Sequence, residues 1–129
     1  GNTEAMANAV LEGMKAAGAE ATLLTPDQVD ASALSDYDAI AFGCPAMGSE
    51  VLEESEFEPM FDGCKSSIGG KRVALFGSYG WGDGEWMRSW EKSCDDANIN
   101  LFTESVICCE APDDDALAAC TAMGKALAE

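Results

Sequence analysis

Three short stretches of this 129-residue chain carry residue types that could do chemistry. In Ser78-Tyr79-Gly80-Trp81-Gly82-Asp83-Gly84, Trp81 stands between two glycines. A core tryptophan needs packed neighbours, whereas an indole on flexible backbone is free to stack on a planar ligand. In Gly43-Cys44-Pro45-Ala46-Met47-Gly48-Ser49-Glu50, Met47 falls on a turn. A thioether makes favourable contact with an aromatic ring, and Gly48 beside it has the freedom to turn its peptide over. Gly1-Asn2-Thr3 opens a helix, where free N–H groups and the helix dipole favour a phosphate. Each stretch taken alone also has a plain structural reading. Asn and Thr are ordinary helix caps, and the two longer stretches could be tight turns.

The rest of the composition excludes much other chemistry. There is no histidine, which removes Ser-His-Asp and Cys-His catalysis and histidine-ligated zinc or haem. Cys44, Cys64, Cys94, Cys108, Cys109 and Cys120 form no C-x-x-C pair, so zinc ribbons, ferredoxin clusters and thioredoxin chemistry lack their spacing. They read as reduced thiols packed as small hydrophobes in a reducing compartment. Neither a catalytic group nor a metal site is expected. Acids outnumber bases 24 to 7, a net charge of −17. That field repels nucleic acid and anionic membrane and favours basic protein partners. No run approaches the length of a membrane span, and no signal peptide is visible.

These stretches need elements to hold them. Met6, Val10, Met14 and Ala17 recur at helical spacing over residues 2–17, and Gly18 follows as a stop. Residues 20–25 alternate weakly and end at Pro26, as a strand does, and 27–36 is a polar connection with room for one helical turn. Residues 37–44 and 73–77 are continuous apolar runs, typical of strands covered on both faces. Helices are expected over 57–67, over 85–97 with Trp86, Trp90 and Cys94 inward, and from Asp113 onward with Leu117, Cys120, Met123 and Leu127 inward. Residues 101–109 read as a longer strand. Strands alternating with helices predict one α/β domain over residues 1–129, a doubly wound parallel sheet with helices on both faces. In such sheets ligands bind beyond the carboxyl ends of the strands. The stretches at 43–50 and 78–84 fall at those ends, but the latter is not a G-x-G-x-x-G dinucleotide fingerprint.

With Gly-Asn-Thr-Glu-Ala-Met-Ala ahead of them, the stretches Gly-Cys-Pro-Ala-Met-Gly-Ser-Glu and Gly-Ser-Tyr-Gly-Trp-Gly-Asp-Gly resemble those of a short-chain flavodoxin. The resemblance covers essentially the whole chain. It implies the flavodoxin-like strand order 2-1-3-4-5, non-covalent FMN, and one-electron transfer to partner proteins. By position, Met47 would cover one face of the isoalloxazine and Trp81 the other. Gly48 would offer its carbonyl to N5–H of the one-electron-reduced ring, and Glu50 would accept from N3–H. Asn2 and Thr3 would bind the phosphate. Pro45, Ala46 and Ser49 complete the first loop, while Ser78, Tyr79, Gly80 and Gly82 would line the ring and its pyrimidine edge. The expected protein is a low-potential carrier, monomeric and cytoplasmic, docking on basic partners.

The match also has a departure. The family's first strand, and the Ser/Thr-containing half of the phosphate loop, stand ahead of Gly-Asn-Thr. The expectation is therefore an N-terminally truncated domain with strand 1 missing from the centre of the sheet. Three other readings compete. An FMN-dependent reductase would need a nicotinamide pocket and extra basic residues for a second phosphate. A phospho-receiver would need an acid where Cys44 and Pro45 stand. A truncated fragment would bind no FMN.

Overall fold

The computed structural model describes residues 1–47 and 51–129. A three-stranded parallel sheet lies at the centre, made of β1 (Ala39–Gly43), β2 (Arg72–Tyr79) and β3 (Val106–Cys109), in that spatial order. Ala41 sits opposite Ala74, and Phe76 lies opposite both Gly43 and Val106. The helices are α1 (Asn2–Ala16), the single turn α2 (Ala31–Leu34), α3 (Phe57–Cys64), α4 (Glu85–Asp96) and α5 (Asp114–Ala128). Short 3₁₀ turns occupy Pro26–Gln28 and Lys65–Ser67.

The central strand explains the layering. Val73 through Ser78 of β2 are all buried, the pattern of a parallel strand covered on both faces. Side chains alternate across a strand, so Val73 and Leu75 enter one core and Ala74 and Phe76 the other. The first core holds α3 and α4. There Trp90 meets Phe57 and Phe61 edge-on at ring separations of 5.3 and 5.7 Å. The second core holds α1 and α5 through Met6, Val10, Cys120, Met123 and Leu127.

The α1–α5 contact depends on two glycines that periodicity alone does not single out. A Cβ on Gly124 would stand 2.1 Å from the Val10 carbonyl oxygen, and one on Gly13 would stand 2.1 Å from that of Thr121. Backbone meets backbone here, so no side chain can swing aside.

Two expected strands differ from what the structure contains. Residues 20–25 form no ladder, and among the described residues the backbone of 20–24 makes no hydrogen bond. A strand exists only through its partner, and here β1 pairs with β2 alone. Between β1 and residues 20–24 lies an apolar cavity of about 170 Å³, lined by Leu11, Met14, Leu23, Leu24, Ala39 and Ile40 among others. The three strands observed correspond to the last three of the expected 2-1-3-4-5 order. The strand expected over 101–109 is broken as well. Leu101 bridges to Val73 and Val106 pairs with Phe76. The chain thus takes five steps where its partner takes three, and the two extra residues bulge out. The helices match their expected spans to within a few residues. Among the described residues no helix is long and apolar enough to cross a membrane.

Gly124→Ala should lower the melting temperature, because overpacking against an immobile carbonyl costs about 1–3 kcal/mol and outweighs the roughly 1 kcal/mol of helix propensity gained. Gly63→Ala in α3, where nothing lies within 4 Å of the added Cβ, gains the propensity without the clash and should raise it. Thermal unfolding followed by circular dichroism compares the two, and shifts of the same sign would contradict the close contact.

Candidate functional site

The loops after β1, β2 and β3 and the start of α1 converge at the carboxyl edge of the sheet, and Ser78 ties them together. It is 5% exposed, and each of its polar groups holds a different segment. Its N–H donates to Thr3 Oγ1 at 3.3 Å, its carbonyl accepts from the Ala46 N–H at 3.0 Å, and its hydroxyl donates to the Glu110 carbonyl at 2.6 Å. The Glu110 N–H donates in turn to the Tyr79 carbonyl at 2.7 Å. Thr3 Oγ1 accepts from Ser78, a bond that leaves the hydroxyl's donor capacity unused. It sits in the first turn of α1, where N–H groups lack acceptors further back along the helix.

Two apolar side chains stand out from this edge. Met47 is 42% exposed and Trp81 is 62% exposed, whereas Trp86 and Trp90 are buried. Met47 leaves the loop after β1, where its N–H donates to the Val51 carbonyl at 2.9 Å. Trp81 leaves the loop after β2. That loop turns through Gly82 and Gly84 at φ of 85° and 92°, a region open to glycine and strained for other residues. Arg88, one turn into α4, clamps it by donating to the Asp83 carbonyl at 3.0 Å and the Asp83 carboxylate at 2.8 Å.

Of the residues singled out from sequence, Asn2, Thr3, Pro45, Ala46, Met47, Ser78, Tyr79, Gly80, Trp81 and Gly82 all lie on this edge. Asn2, Pro45, Gly80 and Gly82 are exposed, while Thr3, Ala46 and Tyr79 are half-buried. Gly48, Ser49 and Glu50 lie outside the described residues. Sequence reasoning missed Glu110, the Asp83–Arg88 clamp, and the bond from Trp86 Nε1 to the Cys44 carbonyl at 3.2 Å. The scarcity of cations is a usable signal for the clamp, since only seven basic residues are present to hold loops in a chain of 24 acids.

The cysteines are free, as their spacing suggested. Burial pushes the Cys44, Cys94 and Cys120 thiols up to about 11. Cys64 and Cys108 are raised for the same reason. Among the described residues no cluster of acids and cysteines could hold a metal ion.

A parallel α/β sheet whose loops and first helix start meet at the carboxyl edge defines a ligand-holding domain of the doubly wound class. Similarity to known proteins makes the class specific. The flavodoxin family model matches residues 1–124. The chain is 41% identical over 129 residues to a flavodoxin of Megasphaera elsdenii, covering all of this chain and 92% of that protein. It is 41% identical over 128 residues to a flavodoxin of Clostridium beijerinckii, covering 99% of this chain and 92% of that one. It also superposes on the solution structure of the two-electron reduced Megasphaera elsdenii flavodoxin with a TM-score of 0.90 at 42% identity, over 99% of this chain and 91% of that one. The chain belongs to the flavodoxin family, FMN-binding electron-transfer proteins rather than enzymes with substrates of their own.

Thiol reactivity reports on this packing. At pH 8 a soluble disulfide reagent should modify the exposed Cys109 readily, while Cys44, Cys64, Cys94 and Cys120 react only after denaturant is added, because buried thiols ionise little. Peptide mapping by mass spectrometry assigns each site. Rapid native labelling of Cys44 would contradict the closed loop base.

Proposed function

We propose that residues 1–129 form a single FMN-binding domain that serves as a low-potential one-electron carrier to proteins with basic surfaces. The observation that carries this reading is the pair of exposed side chains, Met47 and Trp81, on loops tied side by side through the Ala46–Ser78 bond. Large apolar groups left in water on neighbouring loops fit a flat ring that covers them when bound. The remaining parts fit the same ligand. The first turn of α1, with the side chains of Asn2 and Thr3, suits the phosphate. Pro45, Ala46, Tyr79, Gly80 and Gly82 would frame the ring with Ser78 behind them, and Gly48, Ser49 and Glu50 keep the roles that the family resemblance gives them.

FMN supplies the electron chemistry when bound, and the chain supplies position and electrostatics. Met47 and Trp81 exclude water from the ring faces. The surrounding acids make each added electron more costly. One carboxylate about 10 Å away through water contributes about 0.4 kcal/mol, or roughly 18 mV for one electron, so five or six lower the potential by on the order of 100 mV, less in salt. The same field steers the protein onto basic partners, which supports transfer rates that fall as ionic strength rises. A cytoplasmic monomer is the form that accords with reduced cysteines and a surface of strong self-repulsion.

Fluorescence titration with FMN tests the reading, since a stacked flavin is quenched and the protein turns yellow. Trp81→Ala should weaken binding by about 1–3 kcal/mol, the range for loss of one stacking surface. An unchanged Kd would falsify the role given to Trp81, and no binding by the wild-type chain would remove the carrier reading.

A further inference from the structure

Glu53, Glu54 and Glu56 precede α3 and Glu58 lies in its first turn, yet the structure gives one of these four a task the others lack. The start of α3 leaves the N–H groups of Glu56, Phe57 and Glu58 without acceptors inside the helix, and Pro59 has no N–H. Every one of the three ends on Glu53. Its Oε1 accepts from Glu56 N–H at 2.8 Å and Phe57 N–H at 2.9 Å, and its carbonyl accepts from Glu58 N–H at 2.9 Å. Its Oε2 accepts from Ser55 N–H at 2.7 Å and from the Ser55 hydroxyl.

The other side of Glu53 faces the first loop. Its own N–H donates to Cys44 Sγ at 3.4 Å. Cys44 is itself fixed, for its N–H donates to the Phe76 carbonyl at 3.2 Å and its carbonyl accepts from Trp86 Nε1 at 3.2 Å. Glu53 therefore closes the base of the loop that carries Met47, with α3 behind it and the end of β1 in front. We propose that Glu53 is the positioning residue of this loop: by capping α3 and bonding to Cys44 it holds Met47 where the flavin ring stacks. The inference rests on the FMN reading above for its ligand, but the loop lock stands on these bonds alone.

The charge on Glu53 agrees with this geometry. Hydrogen bonds from Ser55, Phe57 and Glu56 hold its carboxyl down at about 2, from an ordinary 4.5. A depressed carboxylate contributes stability that is complete above about 4.5 and lost as pH falls through about 2. The lock is therefore closed throughout the neutral range. Glu54, next in the chain, is exposed and carries the same charge without the cap.

Glu53→Ala and Glu54→Ala thus remove equal charge one residue apart, and only the first opens the lock. In the protein without FMN, N-ethylmaleimide labelling of Cys44 should accelerate about tenfold in Glu53→Ala, the fold-change that loss of one helix cap produces. FMN affinity should fall by a similar factor. Glu54→Ala should leave both within about twofold, and Glu53→Gln, whose amide oxygen still accepts, should restore part of each. Adding Glu53→Ala to Met47→Ala should cost less affinity than it does in the wild type, since the two act through one contact. Equal acceleration at Cys44, Cys64, Cys94 and Cys120 would mean general destabilisation and would overturn the proposal. So would a Cys44 rate or an FMN affinity that matches Glu54→Ala. A wild-type chain that binds no FMN overturns the flavin reading instead, and the labelling rates tell the two failures apart.

Discussion

The carboxyl edge of this domain depends on the burial of β2. Val73 and Leu75 are locked into one core and Ala74 and Phe76 into the other. A slip of one residue would exchange the two sets and strand large side chains where small ones fit. With register fixed in this way, Ser78 cannot choose where its groups point. Its N–H reaches Thr3, its carbonyl reaches Ala46 and its hydroxyl reaches Glu110. Hydrophobic burial several residues away thus sets the polar geometry of the site, and the loops inherit their placement from a strand buried from Val73 to Ser78.

What the sequence made legible follows from periodicity. The apolar runs at β1 and β2 and the four-residue spacing of Trp86, Trp90 and Cys94 each determine a face without help from the rest of the chain. Trp81 and Met47 were legible for the opposite reason, since each is a large apolar group placed among glycines and turn residues, where no core could receive it. Residues 20–25 have a strand's composition but gain their structure only from a partner. The bulge after Leu101 depends on a count of residues against β2, which no local pattern encodes. Gly13 and Gly124 look like weak points in two helices, and only the crossing of α1 over α5 shows that they are its contact. Glu53 was hidden in plain view among equal glutamates, because capping is a property of where the chain turns.

The acidic composition acts in two ways that differ in range. Most of the 24 acids are solvated and make a long-range field that salt screens. A few are bound at helix starts, where the dipole favours them. Asp30 accepts from Ala33 N–H at 2.7 Å, Asp113 accepts from Ala116 N–H at 2.8 Å, and Glu53 serves α3. These few fix structure through short hydrogen bonds, while the rest set a potential that no single residue controls.

On the proposed reading the two roles have to work together. A surface charge can raise the cost of adding an electron only as far as the dielectric between them allows. Water admitted at a loose loop would reach the ring faces that Met47 and Trp81 cover on that reading. The loops are therefore held by charged groups of opposite sign, Glu53 under the Met47 loop and Arg88 under the Trp81 loop. Each of these groups is anchored to the helix that follows its loop. Arg88 and its partner Asp83 are both exposed, so the ion-pair part of that clamp weakens in salt. The Glu53 lock is made of hydrogen bonds to backbone N–H groups. The two locks therefore differ in kind, an ion pair with a carbonyl contact under the Trp81 loop and a carboxylate on backbone N–H groups under the Met47 loop.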